Sequence, residues 1–323
     1  MEVALFHEMM EADWVQVTTL VDNHVSALIR PTENSQTPAN LVLGLAGNET
    51  PLVAEFGWST LLKVGKDGKT HTILYDAGLG KRALIQNARA LSVELKSVEA
   101  LVLSHGHPDH TGSVREAVAE IGRDGLPVVM HPWASLQRMA VRPDGTKTVY
   151  PTRVDERELH ELGADLRKTK GTSSLVSESV MVTGEIPRLT PFEKGLPPNT
   201  QYLKLDGEFK HEPLVLDDQA LIVNVRDKGL VILTGCGHSG IVNTVDYARR
   251  AAGVDRVHAI IGGFHLEGAY FDPVIDPTVE SLKRISPKFL VPSHCTGLRA
   301  SLKLLEAMPS GFLENSVGTT FRF

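Results

Sequence analysis

Three imidazoles and a carboxylate, His105, His107, Asp109 and His110, fall within the stretch Ser104-His105-Gly106-His107-Pro108-Asp109-His110-Thr111-Gly112. Neutral imidazole and carboxylate together suit zinc, manganese or iron, and no packing problem calls for so many ionisable groups after a buried strand. Pro108 pushes His107 towards an extended conformation, so the segment reads as a strand end and a loop before a helix that starts near Thr111. More donors follow apolar runs elsewhere in the chain. Cys236 and His238 stand in Thr234-Gly235-Cys236-Gly237-His238, His265 in Gly262-Gly263-Phe264-His265-Leu266, and His294 in Pro292-Ser293-His294. Cys236 is either a ligand or a small buried side chain, and His265 either touches substrate or packs under its turn. Asp76, in Ile73-Leu74-Tyr75-Asp76-Ala77-Gly78, is suited to orient a liganding imidazole through its free ring nitrogen. Cys295 reads as packing. His7, His24, His71, His131, His160, His211 and His258 lack ligand spacing and read as ordinary surface or core residues.

The elements that must position these donors alternate along the chain. Strand-like runs cover 15–21, 60–64, 72–75, 100–103, 128–130, 220–225, 230–233, 257–261 and 289–291. Helical periodicity covers 81–90, 113–121, 241–252 and 278–285, the last with Pro277 at its first position. Patterning alone gives an α/β protein in packed layers. The polar segment 31–40 reads as a loop that could border the site. The segments 142–152 and 187–198, rich in Pro, Gly and charge, read as lids that set substrate choice.

The donors run from Asp76 to His294 and must meet, which predicts one domain over residues 1–323 despite a length that would allow two. An apolar fraction of 42% suffices for a core, and no apolar run approaches the ~18 residues of a membrane span. The segment Met1 to Trp14 carries Glu2, Glu8, Glu11 and Asp13 and lacks the basic start of a secretion signal, so a soluble, cytoplasmic protein with reduced thiols is expected. A net charge of −6 gives no footprint for nucleic acid, which leaves a small molecule as the expected partner. Nothing in the sequence sets an oligomeric state.

The H-x-H-x-D-H arrangement resembles the signature of the metallo-β-lactamase-fold hydrolases, and Asp76-Ala77-Gly78 and Ser293-His294 resemble that family's flanking strand ends. Within it, Leu20-Val21-Asp22-Asn23, Gly235-Cys236-Gly237-His238-Ser239-Gly240, Gly263-Phe264-His265-Leu266 and His294-Cys295-Thr296-Gly297 resemble a branch that includes dihydropterin-ribofuranosylaminobenzene phosphate synthase-like proteins. The resemblance implies an αββα four-layer sandwich with two zinc ions, or manganese or iron(II) in their place. It implies that His105 and His107 bind one metal and that Asp109, His110 and His294 bind the other. The family's bridging position falls on Cys236 or His238, with His238 preferred, and its third histidine falls near Glu185. The branch element Glu-His-Gly-Leu-Ser is here Glu55-Phe56-Gly57-Trp58-Ser59, which replaces an imidazole by an aromatic wall.

The expected chemistry is metal-assisted hydrolysis of an ester, lactone or phosphate ester, with Asp109 orienting the nucleophile and His265 assisting. Group transfer in pterin assembly, an iron-dependent oxidoreductase on the same fold and a non-catalytic metal-binding protein are the alternatives.

Overall fold

Apolar side chains on both faces of the central strands force two sheets against each other and a helical layer against each outer face. In the computed structural model, which describes residues 9–45, 51–151 and 154–323, an eight-stranded sheet has the order Ser35–Gln36, Thr320–Arg322, Trp14–Val21, Ser59–Lys66, Lys69–Tyr75, Ala100–Val102, Leu126–Met130, Ala164–Lys168. A six-stranded sheet has the order Ser173–Leu175, Val180–Val182, Leu221–Val225, Gly229–Thr234, Val257–Gly263, Phe289–Ser293. His7, Glu2, Glu8 and Thr152 lie outside the described residues.

The two-residue period of a strand sorts the core. Leu62, Val64, Ile73, Tyr75, Val102 and Val129 meet Val182, Leu221, Val223, Val231, Leu233 and Ile261 between the sheets. Their neighbours Leu61, Leu74, Leu101 and Val128 face outward onto the helices Ala83–Ala90 and Val114–Ile121. On the other side Ile222, Ile232 and Ile260 face Ile241–Ala252 and Asp272–Ile285, and Ala300 and Leu304 bring Leu298–Ala307 into the same cluster. This is the αββα sandwich.

The donors sit at one edge for a topological reason. Lys69–Tyr75, Ala100–Val102 and Leu126–Met130 are parallel neighbours, as are Gly229–Thr234, Val257–Gly263 and Phe289–Ser293. Asp76, the motif, Cys236, His265 and His294 all follow the carboxyl ends of such strands, where ligands gather in open α/β sheets.

Four expectations need correction, the first being the loop at 31–40, which contains the strand Ser35–Gln36 and the start of the short helix Ala39–Val42. The helix expected at 278–285 begins at Asp272, with Pro273 in its first turn and Pro277 inside it. The motif enters a short helix at Pro108–Thr111 before the longer Val114–Ile121, so helical structure begins earlier than Thr111. The segment 142–152 is in part a β-hairpin: Arg138–Val141 and Lys147–Val149 join Gln201–Leu205 and Glu208–His211 in a separate four-stranded sheet. Residues 187–198 carry no strand or helix. Among the described residues no helix is long and apolar enough to cross a membrane.

Candidate metal centre

Sheet geometry brings the motif's first two histidines to a third from across the sandwich. His105 Nε2 lies 2.9 Å from His107 Nδ1, which lies 3.1 Å from His238 Nε2. Beside them Asp109, His110, Cys236 and His294 form a second group, and within each group the donor atoms lie within 4.8 Å of one another. A third overlapping group joins Cys236, His238 and His265.

The surrounding hydrogen bonds fix which ring nitrogens face the site. Asp76 accepts from the Ser104 backbone N–H at 2.6 Å and from Ser104 Oγ at 2.6 Å. Having donated its proton, Ser104 Oγ accepts from His105 Nδ1 at 2.9 Å, while Asp76 also accepts from His110 Nδ1 at 2.7 Å. Both rings therefore aim Nε2 into the site. Asn23 does the same for His294: its Oδ1 accepts from His294 Nδ1 at 3.1 Å, and its Nδ2 donates to the His294 carbonyl. This is the outer layer that metal-binding imidazoles need. Glycine is required where these supports crowd, since a Cβ on Gly235 would lie 2.1 Å from Ser104 Oγ and 2.8 Å from Asp76 Oδ2.

The backbone is bent to aim three of these side chains. Asp76, His265 and His294 adopt φ values of 59°, 46° and 50°, a left-handed conformation that non-glycine residues seldom take and that clusters at functional sites. His107 Nε2, His238 Nδ1 and His265 Nδ1 are buried without a hydrogen-bond partner, and His294 Nε2 faces Asp109 Oδ2 at 3.3 Å. His105, His107 and His238 are poor bases in this setting. Burial, then the charges of neighbouring rings and Arg138, lower His105 and His238 well below the usual imidazole value, and burial with Arg138 takes His107 to about 3. Burial also lowers His110, but Asp109 and Asp76 outweigh it and carry the ring up to about 9. Burial raises Asp109, yet His110 and His294 overcome it and hold the carboxylate below its usual range, while burial pushes the Cys236 thiol up. Nitrogen, sulfur and carboxylate donors that converge in this way fit a transition metal.

The family model of the metallo-beta-lactamase superfamily matches residues 52–130, the segment that carries the motif. An uncharacterized protein of Methanocaldococcus jannaschii is 31% identical over 268 residues, 82% of this chain and 92% of that protein. The chain belongs to the metallo-beta-lactamase superfamily. It is also 28% identical over 281 residues, 86% of this chain and 93% of the other, to 7,8-dihydropterin-6-methyl-4-(beta-D-ribofuranosyl)-aminobenzene-5'-phosphate synthase of the same organism. The solved structure of Tm1679, described as a metal-dependent hydrolase of the beta-lactamase superfamily, superposes with a TM-score of 0.70 at 20% identity, covering 95% of this chain and 98% of that one.

As a metallo-beta-lactamase superfamily member the chain departs from the sequence expectation at two donors. His238 completes the first group of imidazoles, and it is Cys236 that joins Asp109, His110 and His294. Glu185 falls in none of the groups: its carboxylate accepts from His131 Nε2 at 3.0 Å and pairs with Lys170 Nζ at 3.3 Å. Cys295 donates weakly to the Cys236 carbonyl at 3.5 Å, and the His265 ring lies 4.2 Å from that of His238, centroid to centroid. Phe56, in place of the branch's imidazole, packs its ring 5.4 Å from that of His294.

One contributor escaped sequence reasoning. Arg138 is buried and donates to Asp217 Oδ2, which also accepts from the Gly106 backbone N–H at 2.8 Å. A strand of the small sheet thus holds the motif loop from behind. Only its separation from the other motifs, by chain positions that meet in the fold, hid it.

Proposed function

We propose that the chain is a metal-dependent hydrolase that binds two zinc ions, or manganese or iron(II) in their place, and cleaves an ester, lactone or phosphate-ester bond in a small molecule. The reading rests on one observation: His105 Nε2, His107 Nδ1 and His238 Nε2 converge beside a second donor group built on Asp109. Bound there, the metals supply a Lewis acid for a developing oxyanion and lower the pKa of water from about 15.7 towards 7.

The residues of the chain supply placement. His105, His107 and His238 would hold one ion, and Asp109, His110, Cys236 and His294 the other. Asp109, kept ionised by His110 and His294, can accept a hydrogen bond from the attacking water and pass its proton to the leaving group. His265, whose Nδ1 is buried and unpartnered, is placed to hydrogen-bond the reacting end of a substrate.

Elemental analysis of untagged protein purified without added metal tests the reading, followed by assays on aryl esters, lactones and phosphate esters. Two ions per chain and turnover abolished by chelation are expected. No bound metal, or no metal-dependent hydrolysis in any of the three classes, overturns it. A second reading, group transfer to a phosphorylated pterin precursor, is supported by similarity to the archaeal synthase over most of both chains. Phosphate or diphosphate release on mixing with such a precursor favours transfer, and tightly bound iron with oxygen consumption favours the oxidoreductase alternative.

A further inference from the structure

A cavity of about 350 Å³ opens beside His238 and His265, within the size range of small-molecule sites. Phe192, Phe264, Tyr270 and Phe271 supply aromatic rings to its wall, and Leu196 and Val274 fill between them. The rings are set edge to face: Tyr270 meets Phe271 at 5.2 Å and 88°, and Phe271 meets His265 at 5.0 Å and 87°. Such an arrangement presents ring faces and edges to whatever enters, which favours a flat aromatic guest over a flexible chain of equal apolar area.

The loop that carries Phe192 is fixed in place. Glu193 accepts from the Val242 and Asn243 backbone N–H groups at 2.8 and 2.9 Å, at the start of the helix Ile241–Ala252. In return Asn243 Oδ1 accepts from the Leu189 and Thr190 N–H groups at 2.8 and 2.9 Å. Gly240, at φ 92°, leaves the carboxylate room, since a Cβ there would lie 2.2 Å from it. The one carboxylate in the wall is thereby occupied by backbone donors, which leaves the aromatic and aliphatic side chains to receive a guest between Lys194 and the two histidines.

We propose that this cavity binds a flat aromatic group carried by the substrate, and that Phe192, on its latched loop, selects it. The proposal rests on the reading that the adjoining donor groups are the reacting site. It is tested by binding alone. Calorimetry on the protein as isolated, with its metal content recorded, compares 2-naphthoate with decanoate, whose apolar area is at least as large. At least about tenfold tighter binding of 2-naphthoate is expected. Phe192→Leu and Phe271→Leu, which keep an apolar wall and remove a ring, should each cut that preference severalfold without changing metal content. Equal binding of the two probes, or an unchanged preference in both variants, overturns the proposal. Because no turnover is read, a failure of the hydrolase reading leaves this result standing, and a protein that hydrolyses esters could still fail this test.

Discussion

At the scale of residues, the two donor groups differ in how many protons a metal must displace. His105, His107 and His238 are held neutral, His107 with a value of about 3, so loading the first group near neutral pH should release almost no protons and depend little on pH between 6 and 8. His110, carried up to about 9, and the Cys236 thiol, raised by burial, are protonated in the metal-free chain. The second ion should expel about two protons and bind more tightly as pH rises, by up to about a hundredfold per unit. Calorimetry in buffers of different ionisation enthalpy counts those protons, and equal counts for both ions would refute the assignment. His107→Ala should lose the first ion and Asp109→Ala weaken the second, each with at least about a hundredfold loss of hydrolysis in a chain that stays folded. Retained metal stoichiometry in either variant would contradict their role. Contiguity is what made the motif legible, since four donors within six residues announce themselves. The choice between Cys236, His238 and Glu185 was not legible, because it depends on where a side chain points after a strand end and on which imidazoles await it across the sandwich. Patterning fixes the strand and leaves that direction open.

At the scale of elements, buried strands with continuous apolar runs were readable and the small sheet was not. Lys147–Val149 is exposed along its length and Glu208–His211 nearly so, and neither run has the alternation that marks a half-buried strand. They pair because the neighbours Arg138–Val141 and Gln201–Leu205 hold the small sheet against the body. The buried pair of Arg138 with Asp217 is the anchor, and Asp217 in turn holds Gly106. Arg138→Leu would leave Asp217 charged, buried and short of a partner, a loss of about 3 to 5 kcal/mol for pairs of this kind. The expected outcome is a fall in the urea midpoint with weaker binding of the first ion, since the loop between His105 and His107 loses its support. Replacing both partners, Arg138→Leu with Asp217→Asn, should recover most of the stability and less of the metal affinity. If the double variant proved no more stable than the single, the pair would not be the anchor. Leu298, Leu302 and Leu305, spaced along one side of the helix Leu298–Ala307, remain exposed and line a cavity of about 610 Å³ that also reaches Asn23 and His294.

At the scale of the whole molecule, the two sheets are joined at the end opposite the donors by a contact that acid should break. His258, one residue into the strand Val257–Gly263, is 3% exposed. Its ring lies 5.3 Å from that of Phe289 in the same sheet and 5.2 Å from Phe323, which is tied to the other sheet by backbone bonds to Val15. Its Nε2 has no partner. Burial, followed by the charges of Lys288, Lys228 and Arg256, lowers its pKa to about 4. An unfolded chain would take up the proton near 6.5, so between about pH 6.5 and 4 the unfolded state binds more protons and folding stability falls as pH drops. The stability present above 6.5 is lost through that window, by about 2 to 3 kcal/mol for this one group. His258→Phe keeps an aromatic ring between the two phenylalanines and removes the proton. Thermal unfolding of metal-free protein should then show a shallower loss of melting temperature from pH 6.5 to 4 than the wild type, with little difference at pH 8. The histidines of the donor groups contribute a similar acid loss in both proteins and cancel from the comparison. Parallel curves for wild type and variant would mean that this contact does not titrate, and that the acid sensitivity of the sandwich resides at its metal-binding edge.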